Sequence, residues 1–146
     1  MEFVLLEPVT NEDYDCYLDL RWTYLRKPWG QAREKAEDSL DSTSHHVLAK
    51  TTTLVPAGIG RVHRVCHEQW QIRYMVVATP YRRMGLGKQI LCKLECIARE
   101  NGANELILQA RENALPFYYA CGYLLRHKSH MLYGSVQHFE MVKVFS

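Results

Sequence analysis

The sequence predicts a mixed α/β fold, and three observations predict it. Apolar residues alternate with a period of two in some segments and recur at helical spacing in others, the periods of strand and helix. The clearest helical pattern, opening at Gly85, lies between two apolar runs, Met75-Val76-Val77-Ala78 and the segment from Glu105 to Gln109. A connection of that length can join parallel strands. The chain has 146 residues, 47% of them apolar and 23% charged, the size and composition of one globular domain with its own core.

Phe3 to Glu7 reads as a first strand, stopped at Pro8. Thr10 is placed to cap a helix, with Asp13 three residues on. Tyr14, Tyr17, Leu18, Trp22 and Leu25 follow at helical spacing to about Arg26, and Pro28-Trp29-Gly30 ends the run. A short polar helix is expected over Gln31 to Leu40, with Arg33 and Glu37 four apart. Three strands follow: His45 to Lys50, Gly58 to Cys66 and Trp70 to Ala78. Thr53 to Ala57 joins the first two, and Pro56 marks the turn. The continuous apolar end of the third suits a strand covered on both faces.

From Gly85 to Asn101, Leu86, Ile90, Leu91, Leu94, Ile97 and Ala98 form one apolar stripe, and Gly102 supplies a helix stop. Glu105 to Gln109 is a buried strand. Asn113 to Ala120 is a short helix with Pro116 in its first turn, closed by Gly122. Tyr123 to Arg126 and Phe139 to Phe145 are the last strands, paired as a hairpin across a loop near Gly134. The order is β-α-α-β-β-β-α-β-α-β-β.

Composition excludes several classes. Lys and Arg total 18 against 16 Asp and Glu, a net charge of +2. Neither a basic run nor an aromatic-basic stripe marks a nucleic-acid partner. The apolar start, Phe3-Val4-Leu5-Leu6, is too short for a signal-peptide core, and no stretch reaches the roughly 20 residues that span a bilayer. No membrane partner is expected, and a soluble cytoplasmic protein is. The five cysteines (Cys16, Cys66, Cys92, Cys96, Cys121) are odd in number and form no CxxC. They read as free, buried thiols without a metal.

The most informative stretch is Val77-Ala78-Thr79-Pro80-Tyr81-Arg82-Arg83-Met84-Gly85-Leu86-Gly87-Lys88. It leaves a buried strand and opens the strongest helix. A helix start presents free N–H groups and the positive dipole end. Glycines there let a phosphate approach, and Arg82 and Arg83 add charge at the rim. The stretch is not a P-loop, because Gly87-Lys88 is followed by Gln89 and position 82 is arginine. Nor is it a dinucleotide fingerprint, because Gly85 and Gly87 are followed by isoleucine at position 90.

The pattern Arg82-x-x-Gly85-x-Gly87 resembles the Q/R-x-x-G-x-G/A signature of the GNAT superfamily of N-acetyltransferases. A second element agrees: Phe117-Tyr118-Tyr119-Ala120-Cys121-Gly122-Tyr123 matches F-Y-x-x-x-G-F/Y one helix and one strand later. The closing Gln137 to Lys143 also looks like a last strand of some members. The resemblance covers nearly the whole chain, most sharply Arg73 to Tyr123. It implies a mostly antiparallel central sheet of about seven strands flanked by helices, with a splayed parallel pair holding coenzyme A. It implies transfer of an acetyl group from acetyl-CoA to a primary amine of a small molecule or peptide, by direct attack in a ternary complex.

Carried over by position, the backbone N–H groups of Arg83, Met84, Gly85, Leu86, Gly87 and Lys88 would hold the CoA pyrophosphate, and Arg82 would be a further cofactor-binding residue. Val77 and Ala78 would pair with pantetheine as an added strand, and an N–H near Val77 would polarise the thioester carbonyl. Asn113 and Tyr118 would also meet the cofactor. Tyr118 is the candidate general acid, since a phenol of pKa about 10 stays protonated and can donate to a departing thiolate. The strand before the turn carries no carboxylate that could act as base. A water relay, His63 and His138 remain as alternatives. Arg21, Tyr24, Trp29 and Arg73 are expected to line the acceptor site, and the two arginines would favour an acceptor with a carboxylate or phosphate. A homodimer is a possible assembly. The alternative to an enzyme is a catalytically idle CoA-binding regulatory module on the same fold.

Overall fold

Seven strands form one sheet in the order β1-β2-β3-β4-β5-β7-β6 in the computed structural model, which describes residues 1–134 and 136–145. The strands are β1 (Phe3–Leu6), β2 (His45–Thr51), β3 (Pro56–Cys66), β4 (Gln69–Val77), β5 (Glu105–Arg111), β6 (Leu124–Leu132) and β7 (Val136–Val144). The helices are α1 (Asn11–Leu25), α2 (Leu86–Glu100) and α3 (Leu115–Ala120). Among the described residues only β4 and β5 pair in parallel, as expected for strands joined by a helix. The other pairs are antiparallel.

The alternating strands split the core between the two faces of the sheet. On one face Val47, Ala49 and Val62 join the α2 stripe of Leu86, Ile90, Leu91, Leu94, Ile97 and Ala98. On the other, Leu48, Ile59 and Val76 meet Tyr17 and Leu18 of α1. Thr10 caps α1 as expected, its Oγ1 accepting the Asp13 N–H at 3.1 Å.

β4 and β5 stay paired only from Gln69 with Glu105 to Ile72 with Leu108. Beyond that both continue, but β5 follows β7 and leaves β4. A bulge accompanies the parting. The β3–β4 register shifts between Ile59 and Arg61, opposite Tyr74, whose φ is +59°. A bulge increases local twist and bends its strand.

Tyr74 is held there by a buried ionic cluster. Its hydroxyl donates to Asp38 Oδ2 at 2.7 Å, and the guanidinium carbons of Arg21, Arg73 and Arg61 lie 4.0, 4.6 and 4.8 Å from its ring centre. Arg21 and Arg61 are 0% exposed. Arg21 donates to both Asp41 oxygens, at 3.1 and 2.9 Å. Arg61 Nη1 donates to Asp38 Oδ1 at 2.6 Å and Asp41 Oδ1 at 2.8 Å.

That cluster corrects one expected element. Residues 31–40 do not form a polar helix; the segment carries one short 3-10 turn at Arg33–Ala36, flanked by others at Lys27–Trp29 and Asp41–Thr43. The expected Arg33–Glu37 pair is replaced by Arg33 Nε donating to Asp19 Oδ1 at 2.9 Å, and Glu37 is extended. An unbroken helix gives way because Asp38 and Asp41 turn inward to the buried arginines. The cysteines are a second correction. They are free, but Cys66, Cys92 and Cys96 are exposed: Cys92 and Cys96 because the apolar stripe of α2 takes the other side of that helix, and Cys66 because it ends β3 at the turn into β4. The last hairpin is also longer than expected. β6 runs to Leu132, and most of its residues are exposed, as an edge strand rich in cationic side chains can be.

Candidate active site

The site lies where β4 and β5 part. The Ala78 N–H donates to the Ala57 carbonyl at 2.8 Å, so residue 78 faces β3. Backbone groups alternate direction along a strand. The Val77 N–H and C=O therefore face the gap that β5 has left. Arg82 closes over the carbonyl, its Nε donating to it at 3.1 Å. The Tyr24 hydroxyl accepts the Thr79 N–H at 2.9 Å and ties α1 to the turn that follows.

After Tyr81 the turn supplies a series of open donors. Among the described residues, the N–H groups of Arg83, Met84, Gly85, Leu86, Gly87 and Lys88 donate to no backbone carbonyl, and the helix ladder resumes at Gln89. Arg83 and Gly85 have φ of +64° and +79°. A Cβ built on Gly85 meets nothing within 4 Å, so the turn opens on free space where a phosphate can approach. A Cβ on Gly87 would lie 3.3 Å from Phe117 and 3.6 Å from Val77. Gly87 thus lets the start of α2 close against β4 and α3. Unpaired donors, the helix dipole and open space together fit a pyrophosphate, and the exposed edge of β4 fits an extended amide chain.

The gap opens into a cavity of about 590 Å³. Gln71, Arg73 and Met75 of β4, Gln109 and Arg111 of β5, Arg26 after α1, Tyr118 of α3, and His130 and His138 of the last hairpin all line it. Tyr118 is 8% exposed and packs edge-on against Phe117 and Tyr123, at 5.0 and 5.8 Å between ring centres. Burial, with a smaller effect of Cys121, pushes its hydroxyl above the ordinary phenol value, so it holds its proton at neutral pH.

His138 stacks on His130, with 4.4 Å between ring centres. Its Nδ1 lies 3.1 Å from the Val136 carbonyl. A carbonyl can only accept, so Nδ1 carries the proton and Nε2 keeps its lone pair in the neutral ring. Burial lowers the His138 pKa. The Val136 bond opposes this, and His130, Arg111 and Arg73 lower it further.

The expected residues divide. Tyr118 and Arg73 line the cavity; Val77, Ala78 and the turn from Arg82 to Lys88 adjoin the gap. Asn113 is exposed in a 3-10 turn, and its neighbour Ala114 lines the cavity instead. Arg21 is not at the cavity: fully buried, it is spent on Asp41, the Ala36 carbonyl and Tyr17. Tyr24 and Trp29 are not among the lining residues either. Trp29 packs at a tilt against Tyr133, with 4.9 Å between ring centres, and joins the turn after α1 to the last hairpin.

Of the two histidines, His138 lines the cavity. His63 sits beside Arg61 with a pKa lowered to about 4, first by burial and then by Arg61 and Arg73. Sequence reading missed Arg26, Arg111 and His130. Arg111 carried a signal, as the charged end of an apolar strand beside the Phe-Tyr element; Arg26 and His130 carried none.

Residues 14–123 match the model of the family described as the Acetyltransferase (GNAT) family. A candidate acetyltransferase of Bacillus subtilis (strain 168) is 34% identical over 106 residues, 73% of this chain and 70% of that one. Two solved structures share the fold at low identity. One is a candidate N-acetyltransferase from Lactobacillus plantarum, with TM-score 0.86, 16% identity and full coverage of both chains. The other is an aminoglycoside 6'-N-acetyltransferase complexed with coenzyme A, with TM-score 0.81, 15% identity, and coverage of 99% of this chain and 97% of that one.

Proposed function

Because the chain belongs to the GNAT acetyltransferase family, we propose that it transfers an acetyl group from acetyl-CoA to a primary amine within a ternary complex. One observation carries the reading. The unpaired N–H groups of residues 83–88 and the open edge of β4 lead into one cavity that holds Tyr118 and His138. Acetyl-CoA supplies the activated thioester.

The chain's own residues bind, orient and move protons. The N–H groups from Arg83 to Lys88 bind the pyrophosphate, and Arg82 braces the turn against Val77. The β4 edge orients the pantetheine arm, and the Val77 N–H faces the gap where it can polarise a carbonyl. His138 Nε2 takes a proton from the acceptor ammonium, leaving a neutral amine able to attack. The Tyr118 hydroxyl gives its proton to the departing sulfur. As the attacking nitrogen becomes the amide, the Tyr118 phenolate takes its remaining surplus proton, and His138 releases its own to water, so each turnover frees one proton.

One observation favours the second reading, a CoA-binding regulator without turnover: no carboxylate lines the cavity among the described residues. Incubation with acetyl-CoA and a panel of primary amines separates the two. The exposed Cys66, Cys92 and Cys96 would react with a thiol reagent, so the acetylated amine is read by mass. The proposal expects product that requires enzyme, donor and amine together. Tight acetyl-CoA binding with no product from any amine would leave the regulator.

A further inference from the structure

We propose that the acceptor is an amine that also carries a carboxylate or phosphate, held by Arg73 and Arg111 with Arg26 at the rim. The inference rests on the acetyltransferase reading and adds the substrate class. Three arginines and two histidines line the cavity, and no Asp or Glu does among the described residues.

The arginines are available to a ligand. Arg111 makes no ion pair among the described residues. Arg73 is 41% exposed, and its one carboxylate neighbour, Asp38 at 3.6 Å, already accepts from Arg61 and Tyr74. Arg26 donates at 3.4 and 3.2 Å to the Lys35 and Leu25 carbonyls, and has no carboxylate partner among the described residues. Nor do they serve the pyrophosphate turn: Arg73 precedes Val77 by four residues, about 13 Å of strand. A planar guanidinium grips a carboxylate or phosphate through paired N–H donors.

The chemistry also excludes. A polyamine or an aminoglycoside would bring several positive charges to a cavity whose fixed charges are positive. An amine with one attached anion presents the opposite sign to Arg73 and Arg111, while its ammonium faces neutral His138.

The test compares matched ligands that differ only in the anion. Glycine is set against glycinamide, and O-phosphoethanolamine against ethanolamine, with spermidine as the polycation. Each is titrated into the protein alone and into the CoA-loaded protein, and acetyl-CoA is titrated separately. The expected result is at least tenfold tighter binding of each anionic member than of its neutral partner, with spermidine weakest. Arg73→Gln combined with Arg111→Gln should remove that preference and leave the acetyl-CoA affinity within about threefold. Equal affinities, tighter spermidine, no binding by any member, or an anion preference that survives the double variant would overturn the proposal. The arms fail separately. Loss of acetyl-CoA binding alone sinks the acetyltransferase reading, while anion selectivity in the protein alone still reports the arginine site.

Discussion

Replacing Asp41 by alanine should cost this protein a large part of its stability, because two cations depend on that carboxylate. Arg21 and Arg61 are both 0% exposed. Asp41 accepts from Arg21 at 2.9 and 3.1 Å, from Arg61 at 2.8 Å and from the Asp38 N–H at 2.9 Å. After removal, Arg21 keeps only the Ala36 carbonyl and the Tyr17 hydroxyl, and Arg61 keeps Asp38 as its carboxylate. Breaking one partner out of a buried ion pair costs about 3–5 kcal/mol. With a urea slope of about 2 kcal/mol per molar, the midpoint should fall by roughly 2 M. Asp41→Asn, which keeps one acceptor oxygen and the shape, should lose less.

The pH dependence gives an independent reading of the same cluster. Burial alone would raise the Asp41 carboxyl. Hydrogen bonds from Arg21 and the Asp38 N–H, with the Arg21 charge, hold it below its ordinary value. A carboxylate depressed in the folded state stabilises above its unfolded pKa of about 4 and loses that contribution as pH falls through the folded value. The native protein should therefore weaken below about pH 4, and the alanine variant should weaken less steeply. An Asp41→Ala midpoint within about 0.3 M of native, with the same acid limb, would refute the claim that the two arginines depend on this group.

Gly85→Asp combines a backbone and a charge effect. An L-residue at φ +79° costs about 1–2 kcal/mol of stability, and a carboxylate about 5 Å from a phosphate charge costs roughly 3 kcal/mol at an effective dielectric of 20. Acetyl-CoA affinity by calorimetry should fall at least about 100-fold, while Gly85→Ala, with the strain alone, should fall much less; equal losses would remove the charge argument. Tyr118→Phe should lower turnover by about 100-fold or more with acetyl-CoA affinity little changed, and unchanged chemistry in single-turnover mixing would exclude its acid role. The proposed base role needs neutral His138, and its pKa is lowered, first by burial. The acid limb of kcat/KM should therefore lie below the ordinary histidine value of about 6.5, with activity rising as pH rises through it. His138→Asn should flatten that limb, and an unaltered profile would assign the base elsewhere.

The elements with strong local signals were legible in the sequence. The α2 stripe, the Thr10 cap, the apolar end of β4 and the glycine turn all depend on neighbours within a few residues. The residues that depend on distant partners were not. Asp38 and Asp41 sit in a polar stretch that reads locally as helix, and only the arrival of Arg21 from α1 and Arg61 from β3 turns them inward. Arg21 misled for the same reason: a basic residue on α1 reads as a surface or ligand cation until its buried carboxylate is seen. The bulge at Tyr74 has no sequence mark, since tyrosine is an uncommon residue at positive φ. Arg26, Arg111 and His130 come from three separate elements and meet only at the cavity.

The central claim is that the turn from Arg83 to Lys88 binds the pyrophosphate of acetyl-CoA beside the open edge of β4. Its most direct test is a calorimetric titration of acetyl-CoA into the purified protein, with ATP and NAD as controls. The account predicts saturable, selective binding of acetyl-CoA at one site per chain, lost in Gly85→Asp. A folded protein that takes up no acetyl-CoA, or binds it equally well with aspartate at position 85, would contradict it.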